Sequence, residues 1–143
     1  MYKIIKTFIL LFIILLVQED AFGERNWLSF GFNDFAAYYI DFSQSTKEQE
    51  LVYHSILYNL NKPAPDGSKS IDVHAYIQCD EMTRYYISSI WYSEADLNGT
   101  VNKMYDDTTI EPLKLPINSD EYLFWSEICS LDNSQFAKLR EIQ

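Results

Sequence analysis

Glycine and proline are scarce, with four of each in 143 residues. Loops that cradle phosphate, dinucleotide-binding turns and the strand-to-helix elbow of serine hydrolases all need closely spaced glycines. None of those spacings occurs. Histidine is rarer still, since only His54 and His74 are present and no His-Glu-x-x-His zinc pattern exists. Basic residues are outnumbered, 11 Lys and Arg against 21 Asp and Glu, for a net charge of −10. That sign disfavours nucleic acid and anionic membranes and suits a basic partner, or simply solubility. Long apolar runs are missing too. The stretch Phe8 to Val17 has about half of the roughly 20 residues that a membrane-spanning helix requires.

That stretch follows Lys3 and Lys6 and precedes Ala21-Phe22-Gly23, the order of a secretory leader: charged region, apolar region and small-residue cleavage site. Residues 1–23 are therefore read as a signal peptide, and 24–143 as one exported domain of roughly 120 residues. An uncleaved anchor is the competing reading, because Glu19 and Asp20 are unusual so near a cleavage site. No cysteine lies between Ile14 and Gly23, which excludes a lipid anchor at the cleavage site. The leader's two lysines and two acids cancel, so the net charge of −10 stays on the domain.

Cys79 and Cys129 are the only cysteines. In an exported chain two cysteines most simply form one disulfide, with reactive thiols or metal ligation as alternatives.

Aromatic and β-branched segments recur between polar breaks, as strands do. Trp27 to Phe32 is a first candidate. Ala36 to Phe42 is a second, closed by the polar run Ser43 to Glu50. Leu51 to Leu60 alternates, with Val52, Ile56, Tyr58 and Leu60 on one face beside His54, and Tyr53, Ser55, Leu57 and Asn59 on the other. Pro63, Pro65 and Asp66-Gly67 then demand a loop. Ile71, Val73, Ala75, Ile77 and Cys79 alternate with Asp72, His74, Tyr76 and Gln78, and Thr83 to Ser93 follows a tight break. Three strands with short turns imply an antiparallel meander. Val101 to Leu115 has room for a short strand. Asn118 reads as the N-cap of a helix with Glu121 at its third position, a capping-box pattern with Asp120 beside it. Tyr122, Trp125 and Cys129 share one stripe of that helix, and Phe124, Ile128 and Leu131 another. The tail from Asp132 offers a weak turn of helix through Phe136 and Leu139, or frays. The expected fold class is α+β: an antiparallel meander with a C-terminal helix packed on one face and one disulfide.

Chemistry is sparsely signalled. Folding the Pro63 to Ser68 loop as a hairpin brings His74 nearer Tyr58 than His54. The acidic pairs Asp80-Glu81 and Asp106-Asp107 sit in polar turns, and Asp106, Asp107 and Glu111 lack the oxygen spacing of an EF-hand. Asn98-Gly99-Thr100 is a glycosylation sequon in a turn, although Asn-Gly serves a plain turn equally well. No catalytic residue, metal ligand or cofactor is assigned. What remains is the surplus of tyrosine and tryptophan, which supply rigid amphipathic contact area to binding surfaces.

Several segments taken in order carry a resemblance. They are Tyr38-Tyr39-Ile40-Asp41, then Tyr58-Asn59-Leu60-Asn61-Lys62-Pro63 leading through Asp66-Gly67 to Ser70, and Ile77-Gln78-Cys79. Tyr92 with Leu97-Asn98-Gly99 follows, and Pro116-Ile117-Asn118-Ser119 opens a helix ending in Ile128-Cys129-Ser130. Over about Trp27 to Ser130 the chain resembles the surface-adhesin protein E-like family of small exported bacterial domains. It departs from the family pattern at Leu97-Asn98, where Met-Gly is usual. The resemblance implies an antiparallel sheet, a C-terminal helix, a Cys79–Cys129 disulfide and a non-enzymatic surface or envelope binding role.

The combined expectation is an exported, adhesin-like binding module, periplasmic, secreted or at the cell surface without a lipid anchor. It would act through an aromatic-rich sheet face or edge on an extracellular or envelope protein, with a homodimer open to it. A structural or inhibitory periplasmic protein is the alternative, followed by a small secreted hydrolase.

Overall fold

The computed structural model describes residues 27–142, and the leader read from the sequence lies outside them. Seven strands are present: β1 (Leu28–Phe32), β2 (Ala36–Glu48), β3 (Leu51–Leu60), β4 (Ser70–Gln78), β5 (Thr83–Tyr92), β6 (Val101–Asp106) and β7 (Leu113–Lys114). Two helices follow, α1 (Asp120–Ser130) and α2 (Asn133–Glu141). Strands β1 to β6 form a meander in sequence order, every neighbouring pair antiparallel, while β7 pairs with the start of β5.

The alternation of β3 and β4 sets the two faces. Val52 pairs with Ile77, His54 with Ala75 and Ile56 with Val73, so the apolar positions share the face on which the helices lie. Ile40, Phe42, Val52 and Ile77 meet Trp125, Ile128 and Phe136 there, and Trp125 is fully buried. Truncating such a buried aromatic typically costs about 3–5 kcal/mol, so the helix is integral to the core. Tyr53, Tyr76 and Tyr85 form a cross-strand row on the opposite face, with Tyr76 and Tyr85 stacked at 5.0 Å.

Three local readings are corrected. Strand β2 does not close at Phe42 but runs on to Glu48, after a bulge in which the register passes from Asp41↔Ser55 to Thr46↔Tyr53. The polar residues of this run build the bulge. The Ser43 N–H donates to Asp41 Oδ1 at 2.9 Å, and Ser45 Oγ donates to the Asp41 carbonyl at 3.1 Å. The N-cap of α1 is Ser119 rather than Asn118, and its hydroxyl accepts from the Tyr122 N–H at 3.1 Å. Asn118 instead takes φ of +63°, a left-handed conformation that asparagine tolerates better than most residues, in a turn closed by Ser119 N–H to the Pro116 carbonyl. Glu121 thereby moves to the second helical position and away from the predicted capping box. The tail neither frays nor forms a single turn. It is a nine-residue helix with a complete capping box between Asp132 and Gln135, and it buries Phe136.

Four attachments hold α1 to the sheet. The Cys79–Cys129 disulfide joins the end of β4 to the last turn, with Cα atoms 5.6 Å apart. Lys47 Nζ from β2 donates to the Cys129 carbonyl at 2.8 Å and also to the Leu131 carbonyl. Arg84 of β5 pairs with Glu121 at the other end, and its guanidinium lies 5.9 Å from the Trp125 ring centroid. These links decide how much of the sheet the helices cover.

Candidate functional site

The two histidines do not converge. The loop after β3 closes with Leu60 N–H to the Lys69 carbonyl, so the ladder starts at Asn59↔Ser70 and places His74 opposite Ser55. That register corrects the expectation that His74 lies nearer Tyr58 than His54, and it sends the two rings to opposite faces. His54 is buried with its ring 4.3 Å from that of Trp125 and its Nδ1 3.1 Å from the Val52 carbonyl. Burial, and then the nearby Arg84 charge, push its pKa down to about 3. It is a neutral packing residue. His74 is partly exposed on the open face, with Nε2 3.2 Å from Oδ2 of buried Asp72.

Of the acidic candidates, Asp106 holds a turn. Asp106 Oδ1 accepts from the Thr108 N–H and hydroxyl, which lowers its pKa. Among the described residues no group of three His, Cys, Asp or Glu side chains is placed to hold a metal ion. Asn98 of the sequon is exposed in the β5–β6 turn.

The aromatic surplus is placed differently. Beyond the N-terminal end of α1, the helix-bearing face carries a row across five strands, with Ile71 buried at its centre and the other members partly buried. Tyr38 pairs with Tyr58, Tyr58 with Ile71, Ile71 with Trp91 and Trp91 with Lys103. A hollow lies at either end of this row. At the β6 end, one of about 400 Å³ is bounded by Phe35, the Pro63–Pro65 turn, Trp91 and Lys103. Lys103 Nζ sits 4.0 Å from the Trp91 ring centroid and 3.0 Å from Asp66, and this contact lowers the Asp66 pKa to about 2.

The second hollow, a groove of about 350 Å³, lies between β1, the sheet and the first turn of α1. Its aromatic lining comes from Phe30 and Phe32 of β1, Tyr38, Tyr58 and Tyr86. Tyr38 and Tyr58 meet edge to face at 5.0 Å, and Phe30 approaches Tyr38 at 6.0 Å. Charge enters from three residues, Arg84, Asp120 and Glu121. Arg84 is only 3% exposed, and Glu121 neutralises it. Burial raises the Tyr58 pKa to about 12, and burial followed by the Glu121 charge raises that of Tyr38. Both phenols therefore stay protonated at neutral pH. The groove offers aromatic faces, hydroxyl donors and carboxylate acceptors.

Sequence reasoning singled out the tyrosines but not this groove. One local signal was available: Arg84 occupies an inward strand position where an apolar side chain is the rule, and a buried charge implies a partner. The partner, Glu121, lies 37 residues away.

Residues 27–130 match the surface-adhesin protein E family. Two solved structures of Haemophilus influenzae protein E have a similar fold. Crystal form II is 19% identical with a TM-score of 0.51, over 65% of this chain and 80% of that one. A second structure is 16% identical with a TM-score of 0.55, over 73% and 83%. Among curated proteins no match is found. Because the family match spans well over half of the sequence and the meander, helix and disulfide accompany it, the chain belongs to the surface-adhesin protein E family.

Proposed function

We propose that this protein is an exported, non-enzymatic binding module, adhesin-like in role, that engages an extracellular or envelope protein through the partly exposed aromatic row of its helix-bearing face. The observation that carries the reading is the row from Tyr38 to Lys103 with a hollow at each end. Partly exposed rings held rigidly by a sheet make contact area at little entropic cost, and surface adhesion is the role that the family membership suggests. Among the described residues no helix is long and apolar enough to cross a membrane.

The test is retention of defined extracellular proteins on the immobilised protein, compared with Tyr86→Ser and Trp91→Ser variants whose folding is checked by circular dichroism. Loss of retention in folded variants supports the reading. Full retention in both would move the binding surface elsewhere, first to the Tyr53, Tyr76 and Tyr85 row of the open face.

A further inference from the structure

The groove beside α1 combines aromatic faces with carboxylates, and its single cation is already neutralised. Arg84 is buried and paired with Glu121. Asp120 lines the same groove, is exposed, and forms no ion pair among the described residues. The rings of Phe30, Tyr38, Tyr58 and Tyr86 line the groove, while Phe32, paired with Ala37 and 86% exposed, stands at the rim. A ring presents a negative face to a cation, an attraction that strengthens as water is excluded. The two acids already occupy the positive end of the helix dipole, so the groove does not invite an anion. The whole sequence adds a net charge of −10, which steers cationic partners toward the molecule.

We propose that this groove is a receptor for one basic side chain, the guanidinium of an arginine or the ammonium of a lysine, projecting from the partner protein. The cation sits against the Tyr38, Tyr58 and Tyr86 rings with Asp120 as its counter-ion, and its alkyl stem lies along Phe30. The volume of about 350 Å³ accommodates such a side chain with accompanying water but not a folded element. This inference rests on the binding role proposed above and names the chemistry that the groove selects.

The experiment titrates the exported protein with three capped Gly-Ser pentapeptides whose central residue is arginine, its neutral isostere citrulline, or glutamate. Tyrosine ring resonances are followed by NMR. The arginine peptide is expected to shift the groove tyrosines saturably at millimolar concentration, and citrulline to bind at least about fivefold more weakly. Asp120→Asn, at an exposed first helical position, should reduce arginine binding roughly threefold or more without altering the fold, and added salt should weaken it. Equal binding of the citrulline or glutamate peptide, unmoved tyrosine resonances, or an unaffected Asp120→Asn variant would overturn the proposal. If the arginine peptide fails while Tyr86→Ser still abolishes retention of a protein partner, the basic-guest proposal falls and the binding module stands. If the arginine peptide fails and neither Tyr86→Ser nor Trp91→Ser lowers retention, the basic-guest proposal falls and the binding surface lies elsewhere on the molecule.

Discussion

The Lys47 ammonium, carried on β2, lies 2.8 Å from the carbonyl of Cys129 in the last turn of α1. A helix end leaves carbonyls without intrahelical donors, and α1 has no basic residue of its own in that turn. The sheet supplies the missing cation from 82 residues away. Lys47→Met should therefore lower stability by about 1–2 kcal/mol, read as a lower thermal midpoint. Lys47→Arg should recover part of the loss, whereas equal midpoints for Met and Lys would show the contact to be idle.

The disulfide closes a loop spanning a sequence separation of 50, worth on the order of 4 kcal/mol in the chain-entropy model. Native protein should take up no thiol label, and reduced, unfolded protein should be labelled on both cysteines. Replacing Cys79 and Cys129 together by alanine should lower the unfolding free energy from chemical denaturation by an amount of that order. Labelling of native protein would contradict the bond.

His54 couples stability to pH. Its folded pKa of about 3 lies below the ordinary value of 6.5. Above the ordinary value both folded and unfolded states are neutral, and the contribution is fully present. As pH falls toward about 3 the unfolded chain takes up a proton that the folded one refuses, so stability drops by up to about 1.4 kcal/mol per unit. Denaturation midpoints of the native protein and His54→Gln, measured between neutral pH and about pH 4, should diverge most near neutrality and approach one another in acid. A constant difference would exclude His54 as the titrating group.

Arg84 and Glu121 form an unequal pair, 3% and 33% exposed. Removing the carboxylate strands a buried cation, whereas removing the cation leaves a carboxylate with access to water. Glu121→Ala should cost about 2–4 kcal/mol, and the apolar Arg84→Met about 1 kcal/mol or less. Chemical denaturation distinguishes the two, and the reverse order would mean that the cation's contact with Trp125 outweighs the ion pair.

Gly67 and Gly99 both adopt positive φ, 85° and 77°, but their surroundings differ. A Cβ on Gly67 meets nothing within 4 Å, whereas one on Gly99 would come 2.2 Å from Ser93 Oγ. Gly67→Ala should cost about 1 kcal/mol from backbone strain alone. Gly99→Ala should cost more, because the Ser93 hydroxyl that accepts from the Thr100 N–H must move. Similar unfolding midpoints for the two variants would refute the crowding at the β5–β6 turn.

Much of the fold was legible because periodicity is local. Val52 to Tyr58 and Ile71 to Ile77 alternate cleanly, and their antiparallel pairing follows from the loop between them, although their register does not. Reading failed where a side chain answers to a distant partner. Nothing between Ser43 and Glu48 looks like a strand, because its polar residues serve a bulge and the end of a helix far along the chain. Asn118 and Ser119 are both good caps, and the turn from Pro116 decides between them. The groove was least legible of all, since β1, β5 and α1 each contribute only part of it and none shows a site alone.

The bulge in β2 also sets a phase. In an uninterrupted strand Asp41 and Lys47, six residues apart, would point to the same side of the sheet. The register instead advances five residues on β2, from Asp41 to Thr46, against two on β3, from Ser55 to Tyr53, and that odd difference reverses the parity of everything after it. Lys47 consequently pairs with Val52 and faces the helices. Inserting one residue between Phe42 and Ser45 would bring Thr46 to the place of Lys47 opposite Val52, and deleting one would bring Glu48 there, either change turning the ammonium away from α1. The count of residues in this stretch, more than their chemistry, keeps the cation in reach of the helix it serves.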